Sequence, residues 1–252
     1  MGSIFDTHAH YDDEAFAADR DDILRQLLAG DVCGLVNQGT TVETSRFSVA
    51  LAHQYEGVYA AVGLHPEYLH ENSRQELSLL RELYQDSKVV AVGEIGLDYY
   101  YDVPKPLQQD IFAAQLALAK ELSLPVVIHD REAHGDVLDF IRTYQPKGIV
   151  HCFSGSKEMA LEVVKQGMYI GMGGVITFKN ARKAVEVVQA VPLTSLVLET
   201  DCPYLTPVPH RGERNHSGLI QLTAERIAAL KGLTTQEVLD ITRENAYRVY
   251  EL

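Results

Sequence analysis

The chain lacks tryptophan altogether and has only three cysteines, Cys33, Cys152 and Cys202, with no CxxC pair. That is too few for a disulfide framework and fits a reducing compartment, so a cytoplasmic setting is expected. No apolar run approaches the length of a membrane span, and no membrane association is expected. The first residues, Met1 to Asp6, have neither a basic nor a long apolar segment, so no signal peptide is expected. Gly2 does not complete a myristoylation motif, because Asp6 stands where that motif wants Ser or Thr. A basic excess is also missing: 22 Lys and Arg face 35 Asp and Glu, a formal net charge of -13. This argues against a protein that coats long duplex DNA by charge alone. It leaves room for a short nucleic-acid end at a metal site, where bound cations reverse the local field. Linkers, composition shifts and low-complexity segments are absent, so residues 1–252 are expected to form a single domain. The 46% of hydrophobic residues allows a substantial core.

What is present is a series of short apolar runs. Val89-Val90-Ala91-Val92 reads as a buried strand, and it then places Glu94 between Gly93 and Gly96 as the run leaves the core. A carboxylate there is costly unless a cation or hydrogen-bond donors meet it. Similar runs begin at Ile4, Val32, Val58, Leu124, Gly148, Met168 and Leu196, giving eight strand signals in all. Helical spacing follows each one, over residues 19–29, 42–55, 74–85, 107–122, 133–143, 157–166 and 180–190, with two more helices after the last strand. The second of these opens with Thr234 and Glu237 in capping-box spacing. Strands without polar alternation are buried on both faces. The pattern is that of an α/β protein with a (β/α)8 TIM barrel, with a doubly wound open sheet as the runner-up.

The polar residues at the strand ends carry the chemistry. His8 and His10 stand at i and i+2, which puts both imidazoles on one side of an extended segment. His65, Glu94, His129, His151 and Asp201 each fall in the last residues of a strand signal, and in a barrel those ends share one face. Mixed imidazole and carboxylate ligands suit Zn, Mn, Fe or Ni, with Mg possible. There are too many for one four-coordinate zinc. Two divalent metal ions use them better: His8, His10 and Asp201 on one, His129 and His151 on the other, Glu94 between. His53, His70 and His134 read as surface residues. Cys152 reads as packing, pointing away from His151, and so does Cys202.

Several segments together resemble the TatD family of metal-dependent deoxyribonucleases, which are metal-dependent hydrolase barrels of the amidohydrolase type. They are Asp6-Thr7-His8-Ala9-His10, Gly63-Leu64-His65-Pro66, Gly93-Glu94-Ile95-Gly96-Leu97-Asp98-Tyr99, His151-Cys152-Phe153-Ser154-Gly155 and Glu199-Thr200-Asp201-Cys202-Pro203. Further matches are Ile176 to Ala181, Pro209 to Asn215 and Asn245-Ala246-Tyr247, so the likeness covers nearly the whole chain. The resemblance implies metal ligands at His8, His10, Glu94, His129, His151 and Asp201, and a supporting or substrate-binding role for His65. It implies phosphodiester hydrolysis, with 3′-to-5′ removal of nucleotides from single-stranded DNA ends. The alternative is amide or ester hydrolysis, including deacylation of misacylated tRNA. The chain departs from the family at Asp130-Arg131-Glu132-Ala133, where Arg-Asp-Ala is usual, and at His216, where an acidic residue is common. Both departures fall at the expected substrate rim.

In the expected mechanism the two ions acidify a water. Asp201 is the first choice to accept its proton, and Glu199, two residues earlier, is the second. Arg131 and Arg211 would hold phosphate oxygens by forked hydrogen bonds. Tyr99 and Phe153 would stack a terminal base, with Tyr100 and Tyr101 either stacking or packing in their loop. No apolar helix face points to an obligate protein partner.

Overall fold

The structure is a computed structural model that describes residues 2–252. Eight parallel strands lie in sequence order: β1 (Ile4–Ala9), β2 (Val32–Gln38), β3 (Val58–Val62), β4 (Val89–Asp98), β5 (Val126–Arg131), β6 (Gly148–Val150), β7 (Tyr169–Met172) and β8 (Leu196–Leu198). Between and after them run α1 (Arg20–Ala29), α2 (Val42–Gln54), α3 (Ser73–Leu80), α4 (Lys105–Leu122), α5 (His134–Tyr144), α6 (Lys157–Lys165), α7 (Arg182–Ala190), α8 (Ile220–Lys231) and α9 (Thr235–Tyr250). The architecture is a (β/α)8 TIM barrel, as its apolar strands and amphipathic helices require.

The seam between β1 and β8 is closed without a regular ladder. An isolated bridge joins Ala9 to Cys202, and the Asp201 amide donates to the His8 carbonyl at 2.9 Å. A buried carboxylate completes the joint. Asp6 accepts from the Thr200 amide at 3.0 Å, the Thr200 hydroxyl at 2.6 Å and the Ser217 hydroxyl at 2.7 Å. Burial pushes the Asp6 carboxyl up to about 6, against the lowering effect of those hydrogen bonds. The outcome is a fixed spacing between the strand carrying His8 and His10 and the segment carrying Asp201.

The far end of the barrel is covered by α9. Its Ala246, Val249 and Tyr250 pack with Phe5, Val36, Ala61, Val127, Ile149 and Val197 from the strands. The Tyr250 hydroxyl donates to the Thr7 carbonyl at 2.8 Å. The capping box at Thr234 and Glu237 is formed as the spacing predicts.

Three elements differ from expectation. The helix expected over 74–85 ends at Leu80 and passes into a tighter turn at Leu83–Gln85, which lets the Tyr84 hydroxyl reach the Val62 carbonyl at 2.8 Å. β4 does not end near Glu94 but runs on to Asp98, with a register shift between Val92 and Ile95. Gly96 makes this possible: its φ is +145°, and a Cβ there would sit 2.0 Å from the His129 carbonyl oxygen. β8 is three residues long, and Glu199 to Asp201 leave the ladder to meet β1.

Candidate metal centre

Where the strands end, five imidazoles surround one carboxylate. Glu94 is 4% exposed, and its two oxygens face different partners. Oε2 lies 3.4 Å from His8 Nε2 and 3.5 Å from His10 Nε2. Oε1 lies 2.8 Å from His151 Nε2, 2.9 Å from His129 Nδ1 and 3.4 Å from His65 Nε2. Asp201 Oδ1 completes the first set, 3.5 Å from His8 Nε2 and 3.4 Å from His10 Nε2. His8, His10 and Asp201 bring one ligand atom each to within 4.8 Å of the others, as do His65, Glu94 and His129.

The donor set fits cations. Ring nitrogens of His8 and His10 face each other at 3.1 Å, and those of His129 and His151 at 3.2 Å. Each such pair can share only one proton, so lone pairs are left converging on a common volume. The titration of the metal-free cluster reflects the same crowding. Burial together with the charge of His151 drives His8 down to about 3. Burial opposes charge on His10 too, but Asp201 and Glu94 overcome it and lift His10 to about 9. His129 is lifted to about 9 against burial by Asp98 and Glu94. Glu94 and Asp201 are held below the usual carboxylate range despite burial, Glu94 chiefly by His151 and Asp201 chiefly by its hydrogen bond to His10. Protons stand in for the positive charge that the site is built to hold.

All six sequence-predicted ligands meet here. The grouping adds His65 beside His129, where the sequence paired His129 with His151. The other site residues divide. Arg131 lines the cavity of about 880 Å³ above the cluster. Arg211 does not; its guanidinium rests 4.0 Å from the Phe178 ring centre and donates to the Thr206 carbonyl at 3.0 Å. Glu199 does not reach the cavity either. It is 1% exposed beneath the stacked His8 and His151 rings, where burial lifts it to about 8, so it cannot touch a reacting water. Gly171 leaves the room it needs, since a Cβ there would lie 2.4 Å from Glu199 Oε2.

Two stacking assignments fail on burial and bonding. Phe153 is 6% exposed within the hydrophobic core and offers no face to a base. Tyr99 has its hydroxyl held by Asp136 and Gln109, with the Lys105 ammonium 3.9 Å above its ring centre. The aromatic rings on the cavity are Tyr68, Tyr101 and Tyr204 instead. Cys152 also lines the cavity rather than packing away from it, because β6 ends at Val150 and a φ of +41° at Cys152 breaks the strand alternation. Burial pushes its thiol up, so it stays neutral.

Sequence reasoning missed Asp98. Its Oδ2 lies 2.9 Å from His129 Nε2 and turns the other ring nitrogen toward Glu94. A usable signal existed: Asp98 is four residues past Glu94, hence on the same side of one strand. Asp6, two residues before His8, carried the same kind of signal.

A barrel whose strand ends gather histidines around a shared carboxylate defines a metal-dependent hydrolase. The comparisons with known proteins agree. The family description "TatD related DNase" matches residues 5–251. The chain is 41% identical to the metal-dependent hydrolase YabD of Bacillus subtilis, over 99% of both chains. It is 32% identical to the 3′-5′ ssDNA/RNA exonuclease TatD of Erwinia tasmaniensis, over 99% of this chain and 100% of that one. The crystal structure of YjjV, a TatD homologue from Escherichia coli, superposes with a TM-score of 0.93 at 34% identity, covering 99% of this chain and 98% of the other. The chain belongs to the TatD DNase family of metal-dependent hydrolases.

Proposed function

We propose that this hydrolase removes nucleotides from the 3′ end of single-stranded nucleic acid, with two divalent ions that the histidines and acids gathered around Glu94 would hold. The observation that carries the reading is the division of the Glu94 carboxylate, one oxygen toward His8 and His10 and the other toward His65, His129 and His151. The printed activity of the Erwinia relative and of its Salmonella typhimurium counterpart supports the substrate class. His8, His10 and Asp201 would hold one ion, and His129 and His151 the other. Zn, Mn, Mg or Ni fits the donors. Such ions, when bound, supply positive charge against phosphate oxygens and acidify water.

The chain's own residues do the rest. Asp201 keeps its carboxylate charged, with 20% of its side chain open to the cavity, and accepts the proton of the attacking water. His65 is kept neutral by burial and lies on the cavity wall, where it hydrogen-bonds the phosphodiester. Arg131 is held 3.8 Å from the Tyr100 ring centre and presents its N–H edge to a phosphate. Tyr68 and Tyr101 take the stacking role that burial denies to Phe153 and Tyr99. The whole chain, 1–252, acts as one unit in this reading. A cytoplasmic setting suits its three free cysteines.

The test is a 5′-labelled single-stranded oligonucleotide given to protein stripped of metal and reloaded with Mg, Mn or Zn. A metal-dependent ladder shortening from the 3′ end is expected. No ladder from protein that holds two ions, or far faster turnover of a phosphate-free ester, would overturn the reading.

A further inference from the structure

We infer that a nucleic-acid strand bound at this centre leaves the cavity across the ends of β5 to β8 and not across those of β1 to β3. This rests on the exonuclease reading and adds to it a path for the part of the substrate that is not being cut.

Charge is divided sharply around the mouth. The segments that follow β1, β2 and β3, residues 10–19, 39–44 and 63–72, contain seven Asp or Glu and no Lys or Arg. Four of these acids, Asp12, Asp13, Glu43 and Glu67, line the cavity itself. The last residue of β5 and the segments that follow β5 to β8, residues 131–133, 151–157, 173–183 and 199–214, contain seven Lys or Arg and four acids, of which Glu199 is buried and Asp201 belongs to the proposed metal centre. A strand carries one negative charge per nucleotide. Rim charges act on it within a screening length of about 8–10 Å at physiological salt. The acidic side repels the chain and the basic side attracts it.

The cations on the basic side differ in availability. Arg214 is tied to both oxygens of Asp19 at 2.7 Å, and Arg182 to Glu186 at 2.9 Å. Arg131 and Arg211 form no ion pair among the described residues. Each sits over an aromatic ring, Tyr100 at 3.8 Å and Phe178 at 4.0 Å, which restrains the guanidinium before a phosphate arrives. Lys179 and Lys183 are exposed in the segment after β7, which stands between β5 and β8 in the strand order. The four side chains come from the ends of β5, β7 and β8, all on the basic side of the barrel. This gives Arg211 a role even though it does not reach the cavity.

The experiment compares Lys179→Glu/Lys183→Glu with Lys120→Glu/Lys147→Glu. The second pair makes the same charge change at the opposite end of the barrel, in the last turn of α4 and just before β6. KM is measured on a dinucleotide and on a strand of about twelve nucleotides, across a range of salt. A single strand gives a log–log salt slope of about -0.7 per phosphate contact, so the first variant should lose about 1.4 from its slope. Its KM on the long strand, relative to that on the dinucleotide, should rise about tenfold. The control pair should keep the wild-type ratio and slope. Equal behaviour of the two variants would overturn the path. If wild type cuts neither substrate, the exonuclease reading falls. The path is then judged by fluorescence anisotropy of the labelled long strand, where weaker binding by the first variant alone upholds it and equal binding overturns it.

Discussion

Asp98 shows how one side chain can orient another in the proposed metal centre. Its carboxylate fixes the His129 ring at 2.9 Å, and Gln108 in turn fixes the Asp98 backbone amide at 2.8 Å. Asp98→Ala should weaken metal binding about 10–100-fold, read by competition titration, with the His8, His10 and Asp201 position less affected. Unchanged affinity would refute the orienting role. Protons compete at the same atoms. His10 and His129 are both raised to about 9, so in metal-free protein they are charged at neutral pH and must lose those protons to a cation. Metal affinity should therefore rise with pH up to about 9, with proton release visible by calorimetry in buffers of different ionisation enthalpy. Affinity flat with pH would contradict it. The residues proposed as ligands were legible in the sequence because each lies in or just after a strand signal, where the fold dictates direction, although Glu94 sits inside β4 and not at its end. Phe153 and Tyr99 were misjudged for the converse reason. Past the strand end no periodicity says where a side chain points, and only packing shows Phe153 turned into the core.

At the scale of elements, α9 illustrates what a sequence match leaves unexplained. Asn245 is 1% exposed, and its Nδ2 donates to the carbonyls of Leu193 at 2.9 Å and Leu196 at 2.7 Å. It ties the closing helix to the start of β8, the shortest part of the seam. Asn245→Ala leaves two buried acceptors unmet and should cost about 1–3 kcal/mol, seen as a lower melting temperature with KM unchanged. An unaltered melting temperature would show that β8 does not depend on this tie. Strand and helix order was readable throughout, because both-face burial and helical spacing leave distinct patterns. The ends of β4 and β8 were not. They depend on Gly96 passing close to His129 and on Asp6 gripping Thr200, contacts made with parts of the chain far away in sequence.

For the whole molecule, the proposed ions would couple to the fold. The residues proposed as ligands come from β1, β4 and β5 and from the segments after β1, β3, β6 and β8, so bound metal should brace the barrel at its weak seam. At a metal concentration of about a hundred times Kd the gain is about 2.7 kcal/mol. Chelation should then lower the melting temperature by about 5–11 °C for a chain of this size. No shift would mean that the ligands are held without the ions. No helix among the described residues is long and apolar enough to cross a membrane. The central claim is that Glu94 joins two cations into one hydrolytic centre. Its most direct test is the metal content per chain, measured together with hydrolysis of a single-stranded oligonucleotide, for wild type and Glu94→Gln after stripping and reloading. The account predicts two ions and turnover for wild type, against at least one ion lost and activity down about a hundredfold or more in the variant. A Glu94→Gln protein that keeps two ions and wild-type turnover would contradict it.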